Sequence, residues 1–399
     1  MTLSLLPPPS EHARHWDLDP TVVFLNHGSF GACPRVVLQQ QDELRAEMER
    51  EPVRFVHREL EGRLDAARAA LAAFVGCDAD DLAFVPNATT GVNTVLRSLA
   101  FAPGDELLTT DHEYNACRNA LDFVAARAGA KVVVAAIPFP LQSEQQVIDA
   151  VLAKATARTK LLLIDHVTSP TGLVLPIAPI VAALRDRGIE TLVDGAHAPG
   201  MLPLALDRLG AAYYTGNCHK WLCTPKGSAL LHVRRDRQPD VRPLAISHGA
   251  NSARADRSRF RLEFDFTGTD DATPFLCVPA ALDFLGGLLP GGIPALMERN
   301  RAMALRARTA LAAAVGSAPA APASMIAGLA AVLLPPSAEP AVPPLGLDPL
   351  QVRLYEQWRI EVPVMRWAQP ALRAVRVSPQ AYHSDAQHEY LAAALRACR

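Results

Sequence analysis

The sequence predicts an α/β fold, a mostly parallel central sheet covered by helices, with a smaller α+β domain attached. Three observations carry that expectation. Between about Leu82 and His232, short apolar runs alternate with amphipathic segments, the pattern of repeated βαβ units. The chain has 399 residues and a mass of 42.9 kDa, more than one hydrophobic core usually accommodates. Beyond about Pro279 the composition shifts to long helical periods and then to an Ala/Pro-rich stretch around one apolar run.

Taken in order, Val36–Arg50 and Glu59–Phe74 read as helices, the second with Leu60, Leu64, Leu71 and Phe74 on a helical period. The runs Leu82–Pro86, Glu106–Thr109, Lys131–Ile137, Lys160–Val167, Thr191–Asp194, Ala211–Thr215 and Ala229–Val233 read as strands. Gly91–Leu99, Asn115–Ala128, Ser143–Ala155 and Ile177–Arg187 read as the helices between them. The polar stretch Arg234–Arg261 has no firm period. Helical patterns return in Ala280–Leu289 and Pro294–Val315. Gly316–Pro349 then holds eight prolines around Met325–Leu334; the enrichment could mark a linker, but the embedded apolar run favours a strand in a loop-rich small domain. No internal repeat is visible.

Bulk properties exclude several classes. Half of the residues are apolar and 20% charged, as in ordinary globular chains. A net charge of −2 supplies no field for nucleic acid or an anionic membrane. The seven cysteines are scattered singly, without a disulfide framework or paired zinc-ligand spacing. The N-terminal residues lack a charged segment followed by an apolar one, so no signal peptide is expected. A cytoplasmic location follows as the expectation.

Three motifs stand where strands end, the place at which such sheets bind ligands. In Tyr213-Tyr-Thr-Gly-Asn-Cys-His-Lys220-Trp, a lysine follows a strand among small polar residues. Such an amine can form an imine with an aldehyde cofactor, although a surface lysine is the blander reading. Asp194 ends an apolar strand 26 residues earlier. A buried carboxylate is costly unless it meets a cation, and the protonated pyridine nitrogen of pyridoxal phosphate is one. A capping role is the alternative. Asn87-Ala-Thr-Thr-Gly-Val-Asn93 opens a helix after a strand, and helix N-termini bind phosphate. Asn and Thr also cap helices without any ligand. Together the three motifs cover different parts of one cofactor.

At these residues the sequence resembles the class V aminotransferases, fold-type I pyridoxal-phosphate enzymes, and within them an isopenicillin N epimerase-like branch. The stretches are Phe24-Leu-Asn-His-Gly-Ser-Phe-Gly31, Asn87–Gly91, Asp111-His-Glu-Tyr114, His166-Val-Thr-Ser-Pro-Thr-Gly172, Asp194-Gly-Ala-His197, Gly216-Asn-Cys-His-Lys220-Trp and Thr267-Gly-Thr-Asp270. The resemblance implies a segment 1–20 packing with the small domain, a large cofactor-binding domain 21–280 and a small C-terminal domain 281–399. It also implies a homodimer with shared active sites.

The resemblance further implies that Lys220 holds the cofactor as an aldimine and shuttles the Cα proton. Asp194 would pair with the pyridine nitrogen and His197 would lie beside the ring. Ser169 stands where many relatives carry an asparagine that contacts the phenolic oxygen. His112 matches the residue stacked on the ring, with Tyr114 as its rival or as a neighbour in the substrate pocket. Ala88, Thr89, Thr90, Asn217 and His219 would bind the phosphate, joined by Thr269 from the other subunit.

Arg376, in Val375-Arg-Val-Ser378, resembles the arginine that forks onto a substrate α-carboxylate, a geometry suited to guanidinium; Arg373 is the alternative. His27 would line the substrate entrance or serve as a satisfied structural histidine. Racemisation, β-elimination with C–S cleavage and transamination all start from a labile Cα proton, and the first leads. Between Cys277 and Cys398 there is no cysteine, which disfavours a persulfide-forming desulfurase. No metal is expected.

Overall fold

The computed structural model describes residues 6–336, 346–367 and 372–398. Its strands in chain order are β1 (Val23–Phe24), β2 (Leu82–Val85), β3 (Glu106–Thr110), β4 (Lys131–Ala135), β5 (Thr159–Asp165) and β6 (Glu190–Asp194). They continue with β7 (Tyr213–Asn217), β8 (Ala229–Val233), β9 (Ala330–Leu333), β10 (Ile360–Glu361), β11 (Val364–Trp367) and β12 (Leu372–Val377). Seven of them form the main sheet in the order β2-β8-β7-β6-β5-β3-β4. Only β8 runs antiparallel to its neighbours. The expected mostly parallel sheet is therefore present.

Buried runs such as Leu161-Leu-Leu-Ile164 and Leu192–Val193 pack helices on both faces, as a parallel sheet requires. The covering helices match their sequence windows closely: Ala88–Ser98, Asn115–Ala128, Glu144–Leu152 and Ile177–Arg185. A second sheet, β11-β12-β9, is antiparallel and packs on Gly292–Val315 and Asp385–Ala397. Parallel pairing of β1 with β10, and the Asn26–Ser378 bridge, tie the early chain to this second sheet. Ser10 N–H also donates to Tyr382 O at 3.0 Å.

Two expectations shift. Within Met325–Leu334 only Ala330–Leu333 is strand. Met325 ends a 3-10 turn, and its carbonyl accepts from Val174 N–H at 2.9 Å, so this end of the run is drawn toward the main sheet. The aperiodic 234–261 stretch contains two 3-10 turns and the start of a helix at Arg259–Phe264. Part of the Pro-rich stretch lies outside the described residues. No single helix among the described residues is long and apolar enough to cross a membrane.

Candidate active site

A cavity of about 340 Å³ opens at the carboxyl ends of β5, β6 and β7, beside the N-terminus of the Ala88–Ser98 helix. Two close approaches shape it. A Cβ on Gly91 would sit 2.2 Å from Thr215 Oγ1, so glycine lets that helix press its first turn onto β7. Gly31 has φ of 71°, and a Cβ there would meet His219 O at 2.2 Å, which brings the Phe24–Gly31 turn against the lysine loop.

Lys220, Asp194, His197, Ala88, Thr89, Ser169, Asn217, His219 and Tyr114 all line this cavity. Residues as far apart in sequence as Ala88 and Lys220 thus meet at one place, because parallel strands deliver their ends to one edge. Asn87 Oδ1 caps the helix by accepting from Thr90 N–H at 2.8 Å. Asn217 Oδ1 accepts from Ala88 N–H at 2.8 Å, joining β7 to the phosphate-type turn.

Lys220 Nζ lies 3.2 Å from His197 Nε2, and Trp221 Nε1 lies 3.5 Å from His197 Nδ1. The indole N–H can only donate, which leaves the His197 proton on Nε2, facing a lone pair of Lys220. That arrangement needs an uncharged amine. Burial, and next the Arg376 guanidinium, lower the Lys220 pKa to about 8. Burial and then Lys220 also keep His197 well below its usual range.

Asp194 is 1% exposed. Its Oδ1 accepts from Ala196 N–H at 2.9 Å and its Oδ2 from Cys117 Sγ at 3.1 Å. No Lys or Arg forms an ion pair with it among the described residues, and burial raises its pKa. A sealed carboxylate without a cation, next to a depressed lysine and a helix N-terminus, fits a cofactor that carries a pyridinium, an aldehyde and a phosphate.

The structure sets other residues apart. Thr90 does not line the cavity; its hydroxyl turns back onto Asn87 Oδ1 at 3.1 Å. His112 is buried and is not among the cavity-lining residues, with Nδ1 2.9 Å from Thr171 Oγ1 and its ring edge-on to Phe139. Tyr114, two residues on, reaches the cavity instead. His27 is fully buried: Nε2 donates to Lys220 O at 3.1 Å, and Nδ1 accepts from Tyr382 Oη at 2.8 Å. It occupies the position of a satisfied structural histidine and not that of an entrance residue. Thr269 is exposed on the loop beyond Phe266, away from this cavity.

Arg376 lies behind Ser169, donating through Nη1 to Ser169 O and through Nη2 to Ser29 Oγ at 3.0 Å. Among the described residues its Nε has no partner. Burial lowers its pKa to about 10. The rival Arg373 is engaged by Asp348, with Nη2 at 2.7 Å from Oδ1.

Sequence reasoning missed three residues here. Asp165 and Lys226 line the cavity, and Glu113 stands close to Asp194 and Cys117. Asp165 was legible in principle, since it ends an apolar strand just as Asp194 does.

A family model for aminotransferase class V matches residues 22–316. The chain is 36% identical over 396 residues to an isopenicillin N epimerase of Streptomyces clavuligerus, covering 95% of this chain and 96% of that one. It is 32% identical over 377 residues to a putative L-cysteine desulfhydrase of Oryza sativa subsp. japonica, covering 89% and 76%. The fold matches the cystine C–S lyase C-DES, solved with its product cysteine persulfide, with a TM-score of 0.76. That match has 23% identity and covers 94% of this chain and 97% of the lyase.

Proposed function

The chain belongs to the class V aminotransferase family, whose cofactor is pyridoxal phosphate, and on that premise we propose that it is an amino-acid epimerase of the isopenicillin N epimerase kind. When bound, the cofactor acts as an electron sink that makes the substrate Cα–H acidic. In this reading the chain's own residues do the rest. Asp194 would hold the pyridine nitrogen in its charged form, while His197 would lie beside the ring, next to Lys220. Ala88, Thr89, Asn217 and His219 hold the phosphate. Thr269 serves the same phosphate in a second subunit of a homodimer, which accounts for its exposed place here.

The Lys220 amine, uncharged in half of the molecules near pH 8, first secures the cofactor and then accepts the Cα proton as a general base. Tyr114 is the candidate donor for the opposite face. Burial raises its phenol pKa, so it carries its proton at neutral pH. The Arg376 fork takes the substrate carboxylate once Ser169 and Ser29 release it. The observation that carries the proposal is the presence of both proton-handling groups, Lys220 and Tyr114, on the walls of one small cavity. The epimerase relative, aligned over 95% of the chain, supports the same choice.

A second reading is β-elimination from a cysteine-type substrate, favoured by the desulfhydrase relative. It shares the proton removal and then expels the β-substituent instead of returning the proton. The empty interval between Cys277 and Cys398 still argues against a persulfide-forming desulfurase. Incubating holoenzyme with an amino-acid panel tests the proposal: inversion at Cα supports it, and pyruvate release favours the second reading.

A further inference from the structure

Asp165 and Asp194 end adjacent parallel strands and are direct register partners. Their side chains therefore leave the sheet on the same face, and both line the cavity. Asp165 is 3% exposed, and its Oδ2 is sealed from solvent without a hydrogen-bond partner among the described residues. Glu113 repeats the pattern: Oε2 accepts from Thr109 Oγ1 at 3.3 Å, and Oε1 is sealed and has no hydrogen-bond partner among the described residues.

The groups facing Asp165 are Asp194 from β6, Glu113 from the turn after β3, Cys117 beside Asp194, and the Lys220 amine. Its neighbour His166 is occupied by Tyr214 Oη at 2.9 Å. Three carboxyls thus crowd the Lys220 amine, whose own charge is weakened by burial, with Arg118 acting on Glu113, and a phosphate dianion would add further negative charge. Buried like charges resolve by protonation, so that a single carboxylate remains. A neutral carboxylic acid is also a hydrogen-bond donor.

We propose that Asp165 is a neutral carboxylic acid in the working enzyme. As a positioning residue it turns its O–H toward Asp194, its register partner on the next strand, and so keeps Asp194 as the carboxylate that meets the cofactor nitrogen. The second half rests on the role proposed for Asp194. Burial, reinforced by Glu113 and Asp194, pushes the Asp165 carboxyl well above its usual range, in agreement with the geometry.

The test uses substrate-free holoenzyme and two readouts other than turnover. Infrared spectra at pH 8 should contain protonated-carboxyl absorption that shifts in deuterated water and loses one component in Asp165→Asn, the remaining component belonging to Glu113. The amide still donates, so the pH titration of the bound cofactor's absorbance should stay within about 0.3 pH unit of wild type. Asp165→Leu removes the donor and should move that titration by more than about one unit, a tenfold change. An unchanged infrared spectrum in Asp165→Asn overturns the proposal, as does wild-type titration in Asp165→Leu. If Asp165→Leu does not fold, the Asp165→Asn band decides. Asp194→Asn separates the two layers: undiminished cofactor affinity in it refutes the Asp194 role and the positioning claim together, while the band still reports whether Asp165 is neutral.

Discussion

Replacing Lys220 should stabilise the cofactor-free protein while abolishing its reaction with cofactor. The folded-state pKa of Lys220, about 8, lies below the ordinary 10.5. Below pH 8 the fold must therefore bury an ammonium or hold the amine against its proton affinity. The resulting cost is fully present there and disappears as pH rises from about 8 to about 10.5. The difference of 2.5 units corresponds to about 3 kcal/mol. That is an upper bound, since the residue is partly open to the cavity and water screens the charge. Apo Lys220→Met should thus be more stable than apo wild type by about 2–3 kcal/mol at pH 7, with the gap closing above pH 10. Denaturant titrations at several pH values measure it. The same shift sets reactivity: at pH 8 about half of the amines are neutral, against about 0.3% for an ordinary lysine. The rate of holoenzyme formation from apoenzyme should rise tenfold per unit below pH 8 and level off above it. A rate still climbing at pH 10, or a Lys220→Met protein less stable at pH 7, would refute the reasoning.

Other predictions concern single contacts. Asp194→Ala removes the carboxylate partner of a buried cation, and equilibrium dialysis should find cofactor affinity reduced more than about 100-fold. Arg376→Leu should raise KM for amino-acid substrates about 10- to 100-fold, the worth of charged hydrogen bonds, while the bound cofactor's absorbance stays as in wild type. Tyr114→Phe should slow inversion far more than it slows Cα–H exchange, whereas His112→Gln, at a buried histidine outside the cavity lining, should affect both equally. Gly91→Ala places a Cβ 2.2 Å from Thr215 Oγ1, so thermal denaturation should show a loss of about 1–3 kcal/mol.

Much of this arrangement was legible because buried parallel strands leave strong, short apolar runs, and all seven main-sheet runs coincide with observed strands to within two residues at each end. The strand ends then placed Lys220 and Asp194 together without any long-range information. What escaped depends on side-chain direction. Whether His112 or Tyr114 reaches the cavity is decided by the turn after β3, which buries the histidine on Thr171, a residue from the loop after β5. Thr90 looked equivalent to Thr89 until the helix cap claimed its hydroxyl. The Asp165–Asp194 pairing is a matter of register between strands 29 positions apart, and periodicity carries no such information. The helices Pro349–Trp358 and Asp385–Ala397 were obscured by the composition around them.

The central claim is that this protein removes a Cα proton and returns it to either face. Holoenzyme in deuterated water, incubated with isopenicillin N and a panel of L-amino acids, puts that claim to measurement by mass spectrometry and chiral analysis. The account predicts one deuterium at Cα accompanied by inversion, with the carbon skeleton and sulfur intact. Pyruvate and released sulfide without the inverted isomer, or an oxo acid with stoichiometric conversion of the cofactor, would contradict it.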